Sequence, residues 1–205
     1  DKYCSCLLGH FISHGVGIQK DFERGVILML SSKAEDYYDR FATDIALYYY
    51  RHARDEHSAF KWFTKAYENS KTSASINNLG LCYLSGIGTA KNIEKAKEIF
   101  NVGIEKDDIY SIYHLAFILE LKDDHKKALE LYKDAADKGN VNAQAYYAYL
   151  LHRDDKNSEN SRLYFKIAAD KGHVASQASL GFLTEETDPQ SSLDYYKKAA
   201  EKGSP

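Results

Sequence analysis

The chain has 205 residues, 44% hydrophobic and 28% charged, with only two prolines and twelve glycines, a composition that suits a folded chain and leaves little room for a disordered linker. Its 27 basic and 30 acidic residues give a net charge of −3 without a basic stripe, so nucleic acid is not an expected partner. No apolar run approaches the roughly 18 residues of a membrane span, and three cysteines that do not recur argue against a disulfide scaffold, so this segment is expected to make no membrane contact and to suit a reducing, cytoplasmic setting.

Taken in chain order, the sequence reads as helix pairs. The first pair, over about 1–36, carries the marker Leu8-Gly9, a glycine turn through Gly15-Val16-Gly17, and then Gly25, Leu28-Met29 and Ser32. The second, over 37–70, is the least regular: Ile45-Ala46, then Ala59, Trp62-Phe63 and Ala66. The third, over 71–106, repeats the first with Leu79-Gly80, the turn Gly86-Ile87-Gly88, and Ala96, Ile99-Phe100 and Gly103. The fourth, over 107–139, has Leu115-Ala116, a polar turn, and Ala128, Leu131-Tyr132 and Ala135. The fifth, over 140–172, has Tyr147-Ala148, then Ser161, Tyr164-Phe165 and Ala168. The sixth, over 173–205, has Leu180-Gly181, then Ser192, Tyr195-Tyr196 and Ala199. The last three close on Ala135-Ala136-Asp137-Lys138-Gly139, Ala168-Ala169-Asp170-Lys171-Gly172 and Ala199-Ala200-Glu201-Lys202-Gly203.

The second helix of each pair places small, large, large, small at i, i+3, i+4 and i+7, which is one helical stripe. Small residues admit a neighbouring helix, and large ones fill the space beside them. The first helix carries its own small marker at 9, 46, 80, 116, 148 and 181. A glycine inside a helix is less favourable than alanine by about 1 kcal/mol, so its return at this position implies close helix contact. Gly139, Gly172 and Gly203 fall where a helix end takes positive φ. Tyr132, Phe165 and Tyr196 are expected to be structural.

The run Leu79-Gly80-Leu81-Cys82-Tyr83-Leu84-Ser85-Gly86-Ile87-Gly88, followed by Lys95-Ala96, resembles the Sel-1-like repeat, a relative of the tetratricopeptide repeat. The likeness runs through the whole chain. It is strongest in the first and third pairs and weakest in the second. It implies an all-α, right-handed α-solenoid of about six helix-turn-helix repeats, acting as a non-catalytic scaffold or adaptor for a protein or peptide. It also implies that the concave wall lies on the first helices, at −6, −3, +1 and +4 from each marker. That wall would hold a groove centred on Tyr110, Tyr113, Phe117, Tyr149 and Phe182, with Tyr50, Asn77 and His152 on the same side. Tyrosine offers a stiff contact surface with a hydroxyl, which suits an interface. The other reading of these rings is that they pack between neighbouring first helices.

Two other functions compete with this one. One is a luminal adaptor similar to the Sel-1-type component of endoplasmic-reticulum-associated degradation; the absence of an Asn-x-Ser/Thr sequon counts against it. The other is an enzyme similar to the β-lactam-binding cysteine-rich repeats, whose regular cysteine pair this chain lacks. The chain has no initiator methionine and its first residue lies inside a repeat, so it is expected to be part of a longer protein.

No catalytic residue, cofactor or metal is expected from the motifs. The glycine turns have no preceding strand and no third glycine at the offset of a phosphate loop. Cys4, Cys6, His10 and His14 suggest zinc, and His10 and His14 share a helix face, but Cys4 and Cys6 point roughly 200° apart on the same helix. His52 and His57 sit in a polar turn with no nucleophile placed to use them.

Overall fold

The computed structural model describes residues 1–34, 38–156 and 158–202. Among these the secondary structure is helical throughout, with twelve α-helices and one short 3-10 turn at Asp39–Phe41. The helices are α1 (Lys2–His14), α2 (Phe22–Ser31), α3 (Ala42–Arg51), α4 (Glu56–Asn69), α5 (Ser73–Ser85) and α6 (Ile93–Ile104), then α7 (Ile109–Leu121), α8 (His125–Asp137), α9 (Val141–Asp154), α10 (Glu159–Asp170), α11 (Val174–Thr184) and α12 (Pro189–Glu201). They form six helix hairpins in two compact units, residues 1–106 and 107–205. Within each unit, helices pack chiefly on their neighbours in the chain, which is the contact pattern of a solenoid and not of a bundle around one centre.

Helix starts are set locally. Every described α-helix except α3 is capped by the side chain before it, from Asp1 through Asp21, Asp55, Thr72, Asn92, Asp108, Asp124, Asn140, Ser158 and His173 to Asp188. Each cap satisfies one amide that the helix cannot, which is worth about 1 kcal/mol. Ends are set by turn chemistry. Gly139 and Gly172 adopt φ of 98° and 87° after α8 and α10. Gly203 lies outside the described residues.

In the first unit the small residues bring backbones together. A Cβ on Gly9 would stand 2.5 Å from the Gly25 carbonyl oxygen, and one on Gly25 would stand 2.5 Å from that of Gly9, so α1 and α2 touch main chain to main chain. Gly80 serves a ring instead, since a Cβ there would stand 2.5 Å from Cζ of Phe100. Buried apolar groups gather in clusters at the joins between elements. Cys6, Val26, Met29, Tyr38, Phe41 and Ile45 form one, and Ala46, Ala59, Phe63 and Cys82 form the next.

The second unit seats its small positions by hydrogen bonding as well as by size. Ser161 and Ser192, on the second helices, are buried and donate to the carbonyls of the markers Ala148 and Gly181, at 2.8 and 2.7 Å. Buried Gln144 and Gln177 donate to the last-turn carbonyls of Ala136 and Ala169, at 2.9 and 3.1 Å. The recurring lysine before each closing glycine also acquires a task. Lys138 Nζ lies 2.5 Å from the Asp107 carboxylate at the start of its own repeat, and Lys171 Nζ donates at 3.3 Å to the Gly139 carbonyl that ends the repeat before, so each lysine ties its helix end down. Ala148, Phe165, Ala169 and Leu180 form the core of the last join.

Candidate partner-binding face

The first helices of the second unit, α7, α9 and α11, carry large rings on a surface that their own small residues leave open. On α9, Ala143, Gln144, Ala145, Tyr147, Ala148 and Leu150 are buried, while Tyr146 and Tyr149 point outward. Ala145 with these two tyrosines forms one side of a groove of about 360 Å³. Phe165 of α10 contributes to its lining, and His173, Ala175, Ser176 and Ser179 form the other side at the start of α11. The groove exists because alanine and serine on α11 do not fill the space beside two rings on α9.

His173 sets the chemistry at one edge. Its Nδ1 accepts the Ser176 amide at 3.2 Å as the cap of α11, which puts the ring proton on Nε2. Burial holds the imidazole below its ordinary pKa. The groove is therefore apolar between neutral polar groups, the tyrosine hydroxyls and one imidazole N–H, since Ser179 Oγ donates to the Ala175 carbonyl and buried Ser176 Oγ is engaged by His173.

Beside the groove lies a cluster of three tyrosines. Tyr132, fully buried on α8, stacks on Tyr146 with centroids 5.5 Å apart, and Tyr113 of α7 packs against both at 5.9 and 6.0 Å. The Tyr132 hydroxyl donates to Glu120 at 3.3 Å. Burial pushes the Tyr113 hydroxyl up to about 12, with Tyr146 adding to the effect.

The eight residues expected on the inner wall divide clearly. Phe182, Tyr110, Tyr149 and Tyr50 are 69%, 58%, 56% and 41% exposed. Tyr113, Phe117, Asn77 and His152 are half-buried. Tyr149 lies in the groove and Tyr113 joins it through Tyr146, while Tyr50 and Asn77 belong to the first unit. Tyr146 was missed by the sequence reading because it falls two positions before the marker, off the assumed wall register. Of the residues expected to be structural, Tyr132 and Phe165 are buried, at 0% and 5% exposure. Tyr196 is 38% exposed, although its ring still covers Gly181.

The first unit has a different surface. A groove of about 360 Å³ is lined by Arg40, Ala42, Thr43, Ala66, Asn69, Ser70 and Thr72. All three cysteines are free; Cys6 and Cys82 are buried and Cys4 is exposed. Burial pushes the Cys82 thiol up to about 12, which leaves it unreactive. Among the described residues, one group of three donors stands close enough to share an ion: His10, His14 and Asp44. No described helix is long and apolar enough to cross a membrane.

Known structures bear out the architecture. A Sel1 repeat protein from Oxalobacter formigenes superimposes with a TM-score of 0.77 at 21% identity, over 97% of this chain and 85% of that one. The c5321 protein, a protective antigen present in uropathogenic Escherichia coli strains with an SLR fold, gives 0.72 at 21% identity over 98% of this chain. This chain spans 46% of that antigen's length. MamA from Desulfovibrio magneticus RS-1 is more distant, with a TM-score of 0.50 at 16% identity over 80% of this chain and 93% of that one. No protein of curated function matches significantly. The Sel1 repeat family model matches residues 3–40, 46–71, 73–108, 109–140, 141–173 and 176–204. The chain belongs to the Sel1 repeat family.

Proposed function

We propose that the chain is a non-catalytic scaffold that holds a partner protein or peptide on its first helices, with the groove between α9 and α11 as the principal contact. Sel1 repeats are generally protein–protein interaction modules. The observation that carries the finer reading is the exposure of Tyr149 and Phe182, at 56% and 69%, with Tyr149 in a groove whose other side is small. Rings left in water at that level add nothing to the fold, and they are the side chains that dominate protein interfaces. The fitting ligand presents an apolar side chain flanked by a hydrogen-bond acceptor, which the His173 Nε2–H and the tyrosine hydroxyls can meet. Tyr110 extends the same exposed set on α7. Tyr113 supports the groove from behind by holding Tyr146. The free cysteines suit a reducing, cytoplasmic setting.

The test is affinity capture with the wild-type chain and a Tyr149→Ala/Phe182→Ala variant, with melting curves for both. Both sites are exposed, so the variant is expected to melt within about 0.5 kcal/mol of wild type. The expected result is loss of a partner that the wild type retains. A folded variant with an unchanged set of partners overturns this placement.

A further inference from the structure

The first unit holds a cluster that the binding face does not use. His10 and His14 are four residues apart on α1, so they project from one side of it. Asp44 reaches the same place from α3. His10 Nδ1 lies 3.7 Å from Asp44 Oδ2, and His14 Nε2 lies 3.7 Å from Asp44 Oδ1. The three donor atoms all fall within 4.8 Å of one another. Donors around a tetrahedral zinc with bonds of 2.0–2.1 Å stand roughly 3.3 Å apart, so the pairs would draw together by between about 0.4 and 1.5 Å, within reach of small side-chain rotations, to close the shell.

Two further observations point to a missing cation. His10 Nδ1 is buried and has no hydrogen-bond partner, since 3.7 Å is too long for one. A buried orphan of this kind is costly, and a metal ion would satisfy it. His14 has its other nitrogen engaged: Nδ1 lies 3.1 Å from the His10 carbonyl oxygen and 2.9 Å from Ser13 Oγ. Donation to that carbonyl fixes the proton on Nδ1 and turns the Nε2 lone pair toward a carboxylate oxygen. Two lone pairs facing each other repel unless a cation stands between them. A ligating histidine whose far N–H is held by a backbone carbonyl is also the usual second-sphere arrangement at metal sites.

We propose that His10 Nδ1, His14 Nε2 and the Asp44 carboxylate form a site for a divalent transition metal of the zinc class. Two imidazoles and one carboxylate favour such an ion over calcium or magnesium. His14 is 43% exposed at its side chain, which leaves room for water as the fourth ligand. Because the donors come from the first and second hairpins, the ion would pin α1 to α3. The expectation of no metal rested on Cys4 and Cys6. Cys6 is buried in the core and Cys4 is exposed, and the third donor comes from the next hairpin, 30 residues after His14.

The test is titration of the chelator-stripped chain with zinc chloride by calorimetry, and with cobalt chloride by visible absorption. The expected result is one zinc per chain, four-coordinate cobalt bands, and a melting temperature that rises with zinc. His14→Ala and Asp44→Asn, with circular dichroism to show that both stay helical, are expected to weaken uptake about tenfold or more and to remove the zinc-dependent rise. Failure to take up stoichiometric zinc, or equal uptake by wild type and both variants, overturns the proposal. A proton-bridged cluster would give the first of those outcomes.

Discussion

The two units solve one packing problem by different means. In residues 1–106 the first hairpin closes through the backbones of Gly9 and Gly25, and its turn is built on glycine, with Gly15 at φ 76°. In residues 107–205 the small positions are alanine and serine apart from Gly181, and polar side chains seat the helices: Ser161 and Ser192 on the marker carbonyls, Gln144 and Gln177 on the preceding helix end. The surfaces differ in the same sense. The first unit's groove is lined mainly by polar residues and by no aromatic ring among the described residues, while the second unit's is lined by Tyr146, Tyr149 and Phe165. The lesson is that a repeat motif constrains size at a position and leaves polarity free. The freedom goes to side-chain hydrogen bonds between helices in the second unit and to close backbone contact in the first.

That contrast predicts where each unit is most fragile. The second unit depends on large side chains that fill the space its small residues open. Phe165 is 5% exposed and packs with Ala148, Ala169 and Leu180. Phe165→Ala is expected to cost about 3–5 kcal/mol. A denaturant melt measures this, and a loss under about 1 kcal/mol would show that the join relaxes around the cavity.

Acid should separate the units next. His114 on α7 is half-buried beside the Tyr113 ring, at 4.9 Å between centroids, and desolvation lowers its pKa from 6.5 to about 4 although the Asp108 carboxylate pulls the other way. Above pH 6.5 both folded and unfolded chains carry it neutral, so stability does not change on its account. Between 6.5 and about 4 the unfolded chain takes up a proton that the folded chain refuses, and stability falls by on the order of 3 kcal/mol in all. His173, also depressed by burial, acts in the same direction in the same unit. The check is melts at neutral and mildly acidic pH on wild type and His114→Gln, in which most of the slope should disappear. An unchanged slope would place the acid sensitivity elsewhere.

The fold was legible because it is written in short-range spacing. Small and large residues at i, i+3, i+4 and i+7 report a helical stripe wherever they occur, and the recurrence of Gly9, Ala46, Gly80, Ala116, Ala148 and Gly181 set the number of hairpins at six. The site was legible only in part. Exposure of Tyr149 and Phe182 followed from their register beside the markers. Tyr113, at −3 on the same expected wall, packs against Tyr146 and Tyr132, because what lies opposite a helix face depends on the neighbouring repeat. The same limit applies to His10 and His14, whose spacing was visible while Asp44, from the next hairpin, was not.

The smallest effect tests the first unit's half of the contrast. If α1 and α2 touch through main chain, the methyl group of Gly9→Ala meets the Gly25 carbonyl oxygen at 2.5 Å and Met29 Cγ at 2.8 Å. Helix propensity alone would make this change favourable by about 1 kcal/mol. Overpacking against backbone, which has no rotamer to escape into, is expected to outweigh that gain and leave a net loss of about 1–3 kcal/mol. In the matching change in the second unit, Gly181→Ala, the nearest contacts are with the Tyr196 ring, at 2.9 Å, and that ring is 38% exposed and can swing away. It is therefore expected to be neutral or stabilising. Melting the two variants side by side gives opposite signs if close backbone contact governs the first hairpin. A stabilised Gly9→Ala chain would mean that α1 and α2 have slack between them, and that main-chain contact does not set their spacing.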